Sequence, residues 1–184
     1  TTSGTLTAAS LSTAAGATLT NAGTASTTGS FTNAGSLSNT AGTLTIGDTL
    51  TNVAGGSVAL SGGTLSTTTA FNNAGTFTQT GGTLTGGLVT NTGTVNANGG
   101  ALNTGVTNTS AFNVGGTVTG NSGFANNVGG TLAVSGTGSL TGLAGITNAA
   151  TVTIAAGGRL GGASYTQTGG TTTNAGTLTT TGGV

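Results

Sequence analysis

Most large apolar residues along this chain occur singly between polar or small residues, and three of them recur in each stretch of about twenty residues. Many have Thr or Ser on both sides, as in Thr43-Leu44-Thr45 and Thr76-Phe77-Thr78. Such period-two alternation is typical of a strand that directs an apolar side chain to one face and hydroxyls to the other. The pattern therefore predicts short, half-buried strands along the whole chain.

A second regularity is a motif of one apolar residue, Thr and Asn, usually with a Gly soon after. It reads Leu19-Thr20-Asn21, Phe31-Thr32-Asn33, Leu50-Thr51-Asn52, Phe71-Asn72-Asn73, Val89-Thr90-Asn91, Val106-Thr107-Asn108, Phe124-Ala125-Asn126, Ile146-Thr147-Asn148 and, weakly, Thr172-Thr173-Asn174. Self-similarity at a nearly fixed period of this length indicates stacked structural repeats.

Three short strands per unit, separated by glycine corners, predict an all-β fold: a parallel β-solenoid, or β-helix, with coils of roughly triangular section. Glycine suits such corners because tight turns often need a positive φ, and Asn is the residue next best able to adopt or support that conformation. We expect a single repeat domain over residues 1–184, without obvious caps, and about nine coils.

The solenoid hypothesis assigns the recurring residues to two kinds of ladder, in which each side chain stacks on its counterpart in the next coil. The expected structural Asn ladder comprises Asn33, Asn52, Asn73, Asn91, Asn108 and Asn148. The expected core ladder comprises Phe31, Leu44, Leu65, Phe71, Phe77, Leu84, Val95, Phe112, Val118, Leu132, Ile146 and Val152. Tyr165 falls in a long interval between Ile146 and Thr172, where we expect the greatest irregularity.

The composition excludes most kinds of catalytic and ligand-binding site, because Lys plus Arg is 1, Asp plus Glu is 1, and His, Cys, Pro, Met and Trp are absent. A two-carboxylate glycosidase site cannot be assembled from Asp48 alone, and no His or Cys is present for metal or nucleophile–base chemistry. A single Arg159 provides no basic surface for nucleic acid. We therefore expect no enzyme activity, no cofactor, no metal site and no nucleic-acid partner. Disorder is the alternative for a chain rich in Gly and Thr, but disordered chains typically carry high charge and no apolar pattern.

No stretch approaches the roughly 18 consecutive apolar residues of a membrane helix, so we expect no membrane insertion. The chain starts at Thr1 without Met, which predicts that it is not a complete translation product. The strand pattern is already present at Thr5-Leu6-Thr7 and persists at Thr177-Leu178-Thr179. We therefore expect either a piece of a larger solenoid or copies that stack head to tail through open strand edges.

One segment, Phe71 to Phe77 followed by Gly81-Gly82-Thr83-Leu84-Thr85, resembles the repeats of filamentous-haemagglutinin-type adhesins and related autotransporter passengers. The resemblance covers nearly the whole chain. It implies a right-handed parallel β-helix, secreted to the surface or surroundings of a Gram-negative bacterium, that serves as an adhesin shaft or a biofilm component. The near absence of charge departs from that family.

The functional expectation is therefore a non-catalytic structural protein of an extracellular fibre or adhesin shaft, with itself as the main partner through head-to-tail stacking and lateral bundling. Host or surface glycans are a further candidate partner. Two alternatives stay open. The chain could be a fragment of a larger adhesin whose receptor binding lies elsewhere, or a surface-recognition solenoid that binds ice through Thr-x-Thr ladders. Interruptions such as Asn96 and Ala133 count against the ladders, and strand propensity alone also explains exposed Thr.

Overall fold

A computed structural model of the protein describes residues 1–182 as one continuous β-solenoid without helices. Its strands, in chain order, are β1 (Thr5–Ala8), β2 (Leu11–Thr13), β3 (Thr18–Asn21), β4 (Thr24–Thr27), β5 (Phe31–Asn33), β6 (Ser36–Asn39), β7 (Thr43–Ile46), β8 (Thr49–Asn52), β9 (Ser57–Leu60), β10 (Thr64–Asn73), β11 (Thr76–Gln79), β12 (Thr83–Asn91), β13 (Thr94–Asn103), β14 (Val106–Asn108), β15 (Ala111–Gly120), β16 (Gly123–Asn126), β17 (Thr131–Val134), β18 (Ser139–Leu143), β19 (Gly145–Asn148), β20 (Thr151–Ile154), β21 (Arg159–Gly162), β22 (Tyr165–Gln167), β23 (Thr171–Asn174) and β24 (Thr177–Thr180).

Strand pairing divides the solenoid into three faces, each made of parallel strands one coil apart. Face 1 runs from β2 through β5 and β8 to β22, and face 2 runs from β3 through β6 and β9 to β23. Face 3 runs from β1 through β4 and β7 to β24. The long strands β10, β12, β13 and β15 pass a corner and contribute to two faces each. The predicted all-β parallel β-solenoid is confirmed, with about nine turns of about 19 residues. Right-handed coiling stays a prediction.

The core contains three main columns of apolar side chains, one behind each face, and a second inward position on faces 2 and 3 adds Ile46, Leu60, Ala97, Val114, Val134, Leu143 and Ile154. Interior members of each column are at most 2% exposed, because the alternating strand pattern directs every second side chain inward. Face 1 contributes Phe31, Leu50, Phe71, Val89, Val106, Phe124 and Ile146; face 2 contributes Leu37, Val58, Phe77, Val95, Phe112, Leu132 and Val152; face 3 contributes Ala25, Leu44, Leu65, Leu84, Leu102, Val118, Leu140 and Leu160.

Glycines at the corners serve two different purposes. At the corner between faces 2 and 3, Gly42 and Gly63 have φ of 63° and 65°, and a Cβ at either would lie within 2.0 Å of a carbonyl oxygen in the preceding coil. At the corner between faces 1 and 2, which follows the Asn of each motif, Gly75 and Gly93 lack a positive φ. A Cβ at either would nevertheless lie 2.2 Å from a carbonyl oxygen in the preceding coil. No non-glycine residue between 1 and 182 has a positive φ, so the Asn residues support the corners with their side chains only.

Two details of the predicted unit boundaries are wrong. The motifs Leu19-Thr20-Asn21 and Thr172-Thr173-Asn174 lie on face 2, whereas the motifs between them lie on face 1. Tyr165 pairs in register with Ile146 and continues the face 1 column, so the interval between Ile146 and Thr172 has no irregularity on face 1. On face 3 the same interval takes part in a register shift, between β18 and β21, and the other shifts lie on the β10–β12 and β13–β15 pairings.

The described residues contain no helix long and apolar enough to cross a membrane.

Candidate functional site: the Asn ladder and the outer hydroxyl columns

The corner between faces 1 and 2 contains a continuous ladder of side-chain amides, buried from Asn33 to Asn148 and exposed at its last member, Gln167. Each Nδ2 donates to the side-chain oxygen one coil further along, at 2.7 to 2.8 Å between asparagines and 3.1 Å at the final step. The members, in order, are Asn33, Asn52, Asn73, Asn91, Asn108, Asn126, Asn148 and Gln167. All six sequence-predicted asparagines lie in this ladder.

The ladder also binds the backbone of the neighbouring coil. Asn73 Nδ2 donates to the Thr94 carbonyl at 3.0 Å, and Asn91 Nδ2 donates to the Ala111 carbonyl at 2.9 Å. A primary amide has two N–H donors and an acceptor oxygen, so one side chain can bond to the coil before it, the coil after it and a strand carbonyl together. This geometry explains why Asn occupies the position and why the side chains tolerate near-complete burial.

Two ladder members were missed by the sequence analysis. Asn126 belongs to the Phe124-Ala125-Asn126 motif, and its position in the period could have placed it in the ladder. Gln167 is harder to find because both its amide and the Tyr165 ring depart from the apolar-Thr-Asn pattern. A second, short ladder lies at the next corner, where Asn21 Nδ2 donates to Asn39 Oδ1 at 2.7 Å.

The ladder is incomplete at its first coil. Thr13 pairs in register with Asn33, yet Thr13 Oγ1 and Asn33 Oδ1 are both buried without a hydrogen-bond partner in the described structure. A shorter hydroxyl side chain cannot replace the amide donor that every later coil provides. The first step of the ladder is therefore its weakest.

The twelve sequence-predicted core residues all lie in the three apolar columns, at 0 to 2% exposure. Four of the phenylalanines form two edge-to-face pairs: Phe71 with Phe77 at 5.1 Å between ring centroids, and Phe112 with Phe124 at 4.9 Å. Such pairs stabilise a core beyond the area they bury. Because every Phe is buried and Tyr165 is 9% exposed, residues 1–182 present no aromatic platform to a ligand.

The two charged side chains lie far apart along the rod. Asp48 occupies the corner between β7 and β8, where the Ser30 hydroxyl donates to Oδ2 at 2.7 Å. Hydrogen bonds from Ser30, first, and then Thr69 lower the pKa of the Asp48 carboxyl. Arg159 is exposed on β21, in register with Ser139 and Thr177. The structure brings neither to a catalytic partner.

No group of three or more His, Cys, Asp or Glu residues occurs in the part of the chain that the structure describes. An open groove lies along the corner between faces 3 and 1, where Gly105, Gly123 and Ala144 leave space beside the half-exposed Leu88. The lining contains no charged side chain and no convergent set of polar groups, which ligand sites normally have. The groove is therefore a consequence of small corner residues.

Outward-facing positions of all three faces are dominated by hydroxyls, arranged in columns parallel to the axis. Face 1 has one such column, in which Asn72 and Ala125 replace hydroxyl residues. Face 2 has two columns, one interrupted at Ala59, Asn96, Asn113 and Ala133 and the other at Ala111. Face 3 has two columns that are uninterrupted from β1 through β12. These columns are the most regular surface of the molecule.

Comparisons with protein-family models, with curated proteins and with solved structures found no match to this chain.

Proposed function

We propose that this chain is a non-catalytic structural rod of an extracellular fibre or adhesin shaft, whose function resides in its shape and its association with further copies of itself. The observation that carries the proposal is the unbroken amide ladder from Asn33 to Gln167. It joins eight successive coils by side-chain hydrogen bonds, in addition to the parallel backbone pairing. Repeats that contact only their neighbours derive stability from those interfaces, which favours continuation of the stack.

The end coils support the choice of a second copy as partner. Within residues 1–182, β1 and β2 pair on one side only, as do β22, β23 and β24. Leu6, Leu11 and Leu178 occupy column positions but are only partly buried. Another coil placed on either edge would cover them and pair the open strand edge. Because the two ends differ, this contact is heterologous and does not close.

Low charge supports lateral association of such rods. The sequence has one basic and one acidic side chain in 184 residues and a formal net charge of zero, so copies lack the repulsion that normally separates proteins. Secretion to the cell surface or beyond is the setting that the adhesin resemblance implies. A larger adhesin could also supply the next coil from its own chain, with receptor or glycan binding elsewhere.

The β2 edge permits a direct test. Leu11 N donates to the Ser30 carbonyl, and the Thr13 carbonyl accepts a hydrogen bond from Ala34 N. Leu11 and Thr13 therefore direct their backbone N–H and C=O groups towards β5. By alternation, Ser12 directs its N–H to the open edge and its side chain to solvent. Ser12→Pro removes that donor and leaves the hydrogen bonds to β5 in place.

We expect the unmodified chain to sediment as a concentration-dependent series of oligomers, and Ser12→Pro to shift the series towards the monomer. Ser12→Val, which keeps the N–H, is the matched control and should still associate. A monomer at every concentration, or equal association of the two variants, contradicts head-to-tail stacking through this edge.

A further inference from the structure

The two outer columns of face 3 form an array in which every member is a hydroxyl. Five consecutive strand segments, in β1, β4, β7, β10 and β12, contribute two residues each. The first column is Thr5, Thr24, Thr43, Thr64 and Thr83, and the second is Thr7, Ser26, Thr45, Ser66 and Thr85. We call these ten residues the hydroxyl array.

Strict register gives the hydroxyl array a two-dimensional repeat. Along the axis its rows are one strand spacing apart, about 4.8 Å, and within a row the two side chains are two residues apart, about 6.7 Å. The pairings through these ten positions contain no register shift; the shift recorded between β10 and β12 begins beyond Ser66 and Thr85. The next coil ends the pattern, with Ala101 opposite Thr83 and Asn103 opposite Thr85.

The hydroxyls of the array are available to a ligand. Ser26 Oγ is 3.5 Å from Thr7 Oγ1, and within residues 1–182 no other hydroxyl of the array has a protein partner. All ten side chains are exposed or half-buried. Eight are Thr, whose β-branched side chain has few χ1 rotamers, so little side-chain entropy is lost when a ligand orders them.

A periodic array of uncharged donors and acceptors fits a partner that is itself periodic and uncharged. Charged partners find no opposite charge in the array. A polysaccharide crystal would pack its sugar rings on aromatic side chains, and the described surface exposes none. The remaining partner of this chemistry is a lattice of ordered water, to which each Thr offers a hydroxyl and a methyl group.

We infer that the hydroxyl array is a binding surface for the crystal lattice of ice. The interruptions that counted against ice binding in the sequence, Asn96 and Ala133, lie on face 2 and leave the array intact. This inference goes beyond the structural role proposed above and does not depend on it, because the array lies along the side of the rod and stacking would use its ends.

The test is thermal hysteresis, the gap between the melting and freezing points of a single ice crystal, measured with the purified chain at a concentration where it is monomeric. Thr64→Tyr places a bulky ring in the middle of the hydroxyl array. Thr94→Tyr is the matched control on face 2, since both residues are half-buried, begin a strand segment and accept an Asn amide at their carbonyl.

We expect hysteresis and faceted ice crystals with the unmodified chain, loss of both with Thr64→Tyr, and retention of both with Thr94→Tyr. Circular dichroism confirms that each variant is folded. Absence of hysteresis in the unmodified chain, or equal loss in the two variants, overturns the inference. It is also overturned if Thr64→Tyr instead abolishes sedimentation with crystalline cellulose or lateral bundling of rods, while no variant affects ice.

Discussion

The side-chain amide of Asn73 donates to the side-chain oxygen of Asn91 across 2.8 Å, and both residues are at most 1% exposed. Asn73 also accepts a hydrogen bond from Asn52 and donates one to the Thr94 carbonyl. A single residue thus joins three successive coils. Its sequence neighbour Asn72 points outward and is exposed. The same substitution at Asn72 and at Asn73 therefore shows how much of the effect on stability comes from the position in the ladder rather than from losing an Asn.

Asn73→Leu should lower the free energy of unfolding by roughly 2 kcal/mol or more, because it leaves buried polar groups of Asn52, Asn91 and Thr94 with fewer partners. Asn72→Leu should change it by less than about 0.5 kcal/mol, as is usual for an exposed site. Urea denaturation followed by circular dichroism measures both. Equal effects of the two substitutions would show that the buried ladder contributes nothing specific.

The incomplete first step of the ladder offers a stabilising change. Thr13→Asn should place an amide donor beneath the unpartnered Asn33 Oδ1, in the register that the later coils use. A net gain of about 1 kcal/mol is expected, the usual value for one intramolecular hydrogen bond. The same denaturation experiment measures it, and a lower midpoint for Thr13→Asn than for the parent would rule out this explanation of the orphaned oxygen.

Glycine substitutions test close stacking at the corners. Gly63→Ala should destabilise the fold by roughly 2 kcal/mol or more, because its φ is positive and a Cβ would lie 2.0 Å from the Gly42 carbonyl oxygen. Gly123→Ala is the control, since a Cβ there has no neighbour within 4 Å and its φ is not positive. Thermal unfolding compares the two. Similar midpoints for both variants would contradict the assigned role of Gly63.

Acid should weaken the fold through Asp48, the one acidic side chain of the sequence. Hydrogen bonding from Ser30 lowers the pKa of this carboxyl from 3.8 when the protein folds. A depressed folded pKa contributes stability that is present above the unfolded value and is lost as the pH falls through the folded value. Stability should therefore decline only below about pH 4, and by a small amount because Asp48 is no more than half-buried and solvent screens its carboxyl.

Asp48→Asn should flatten that acid decline, as measured by unfolding midpoints between neutral and acidic pH. Ser30→Ala, which removes the first hydrogen bond but keeps the carboxylate, should reduce the decline in the same direction. An unchanged acid profile in Asp48→Asn would assign the pH dependence to another group.

The alternating triplets such as Thr76-Phe77-Thr78 predicted three strands per coil because each marks an apolar side chain that points inward between two outward hydroxyls, and each predicted core residue lies in a column. Boundaries near the ends were harder to predict. Leu19-Thr20-Asn21 has the same residue types as the face 1 motif but lies on face 2, at the corner between faces 2 and 3. Strand periodicity does not indicate which face a strand joins. The register of Tyr165 with Ile146 likewise follows from stacking between coils rather than from local sequence.

Surface organisation was the least predictable feature. Thr-x-Thr units occur throughout the sequence, but their order on each face depends on how coils of 17 to 22 residues align. Only that alignment separates the uninterrupted columns of face 3 from the interrupted columns of face 2.

Electron microscopy of the purified chain over a range of concentrations shows whether this solenoid is a self-stacking rod. We expect long filaments one solenoid wide, with a meridional spacing near ~4.8 Å that continues across the junctions between copies. Isolated short rods at every concentration would contradict head-to-tail stacking.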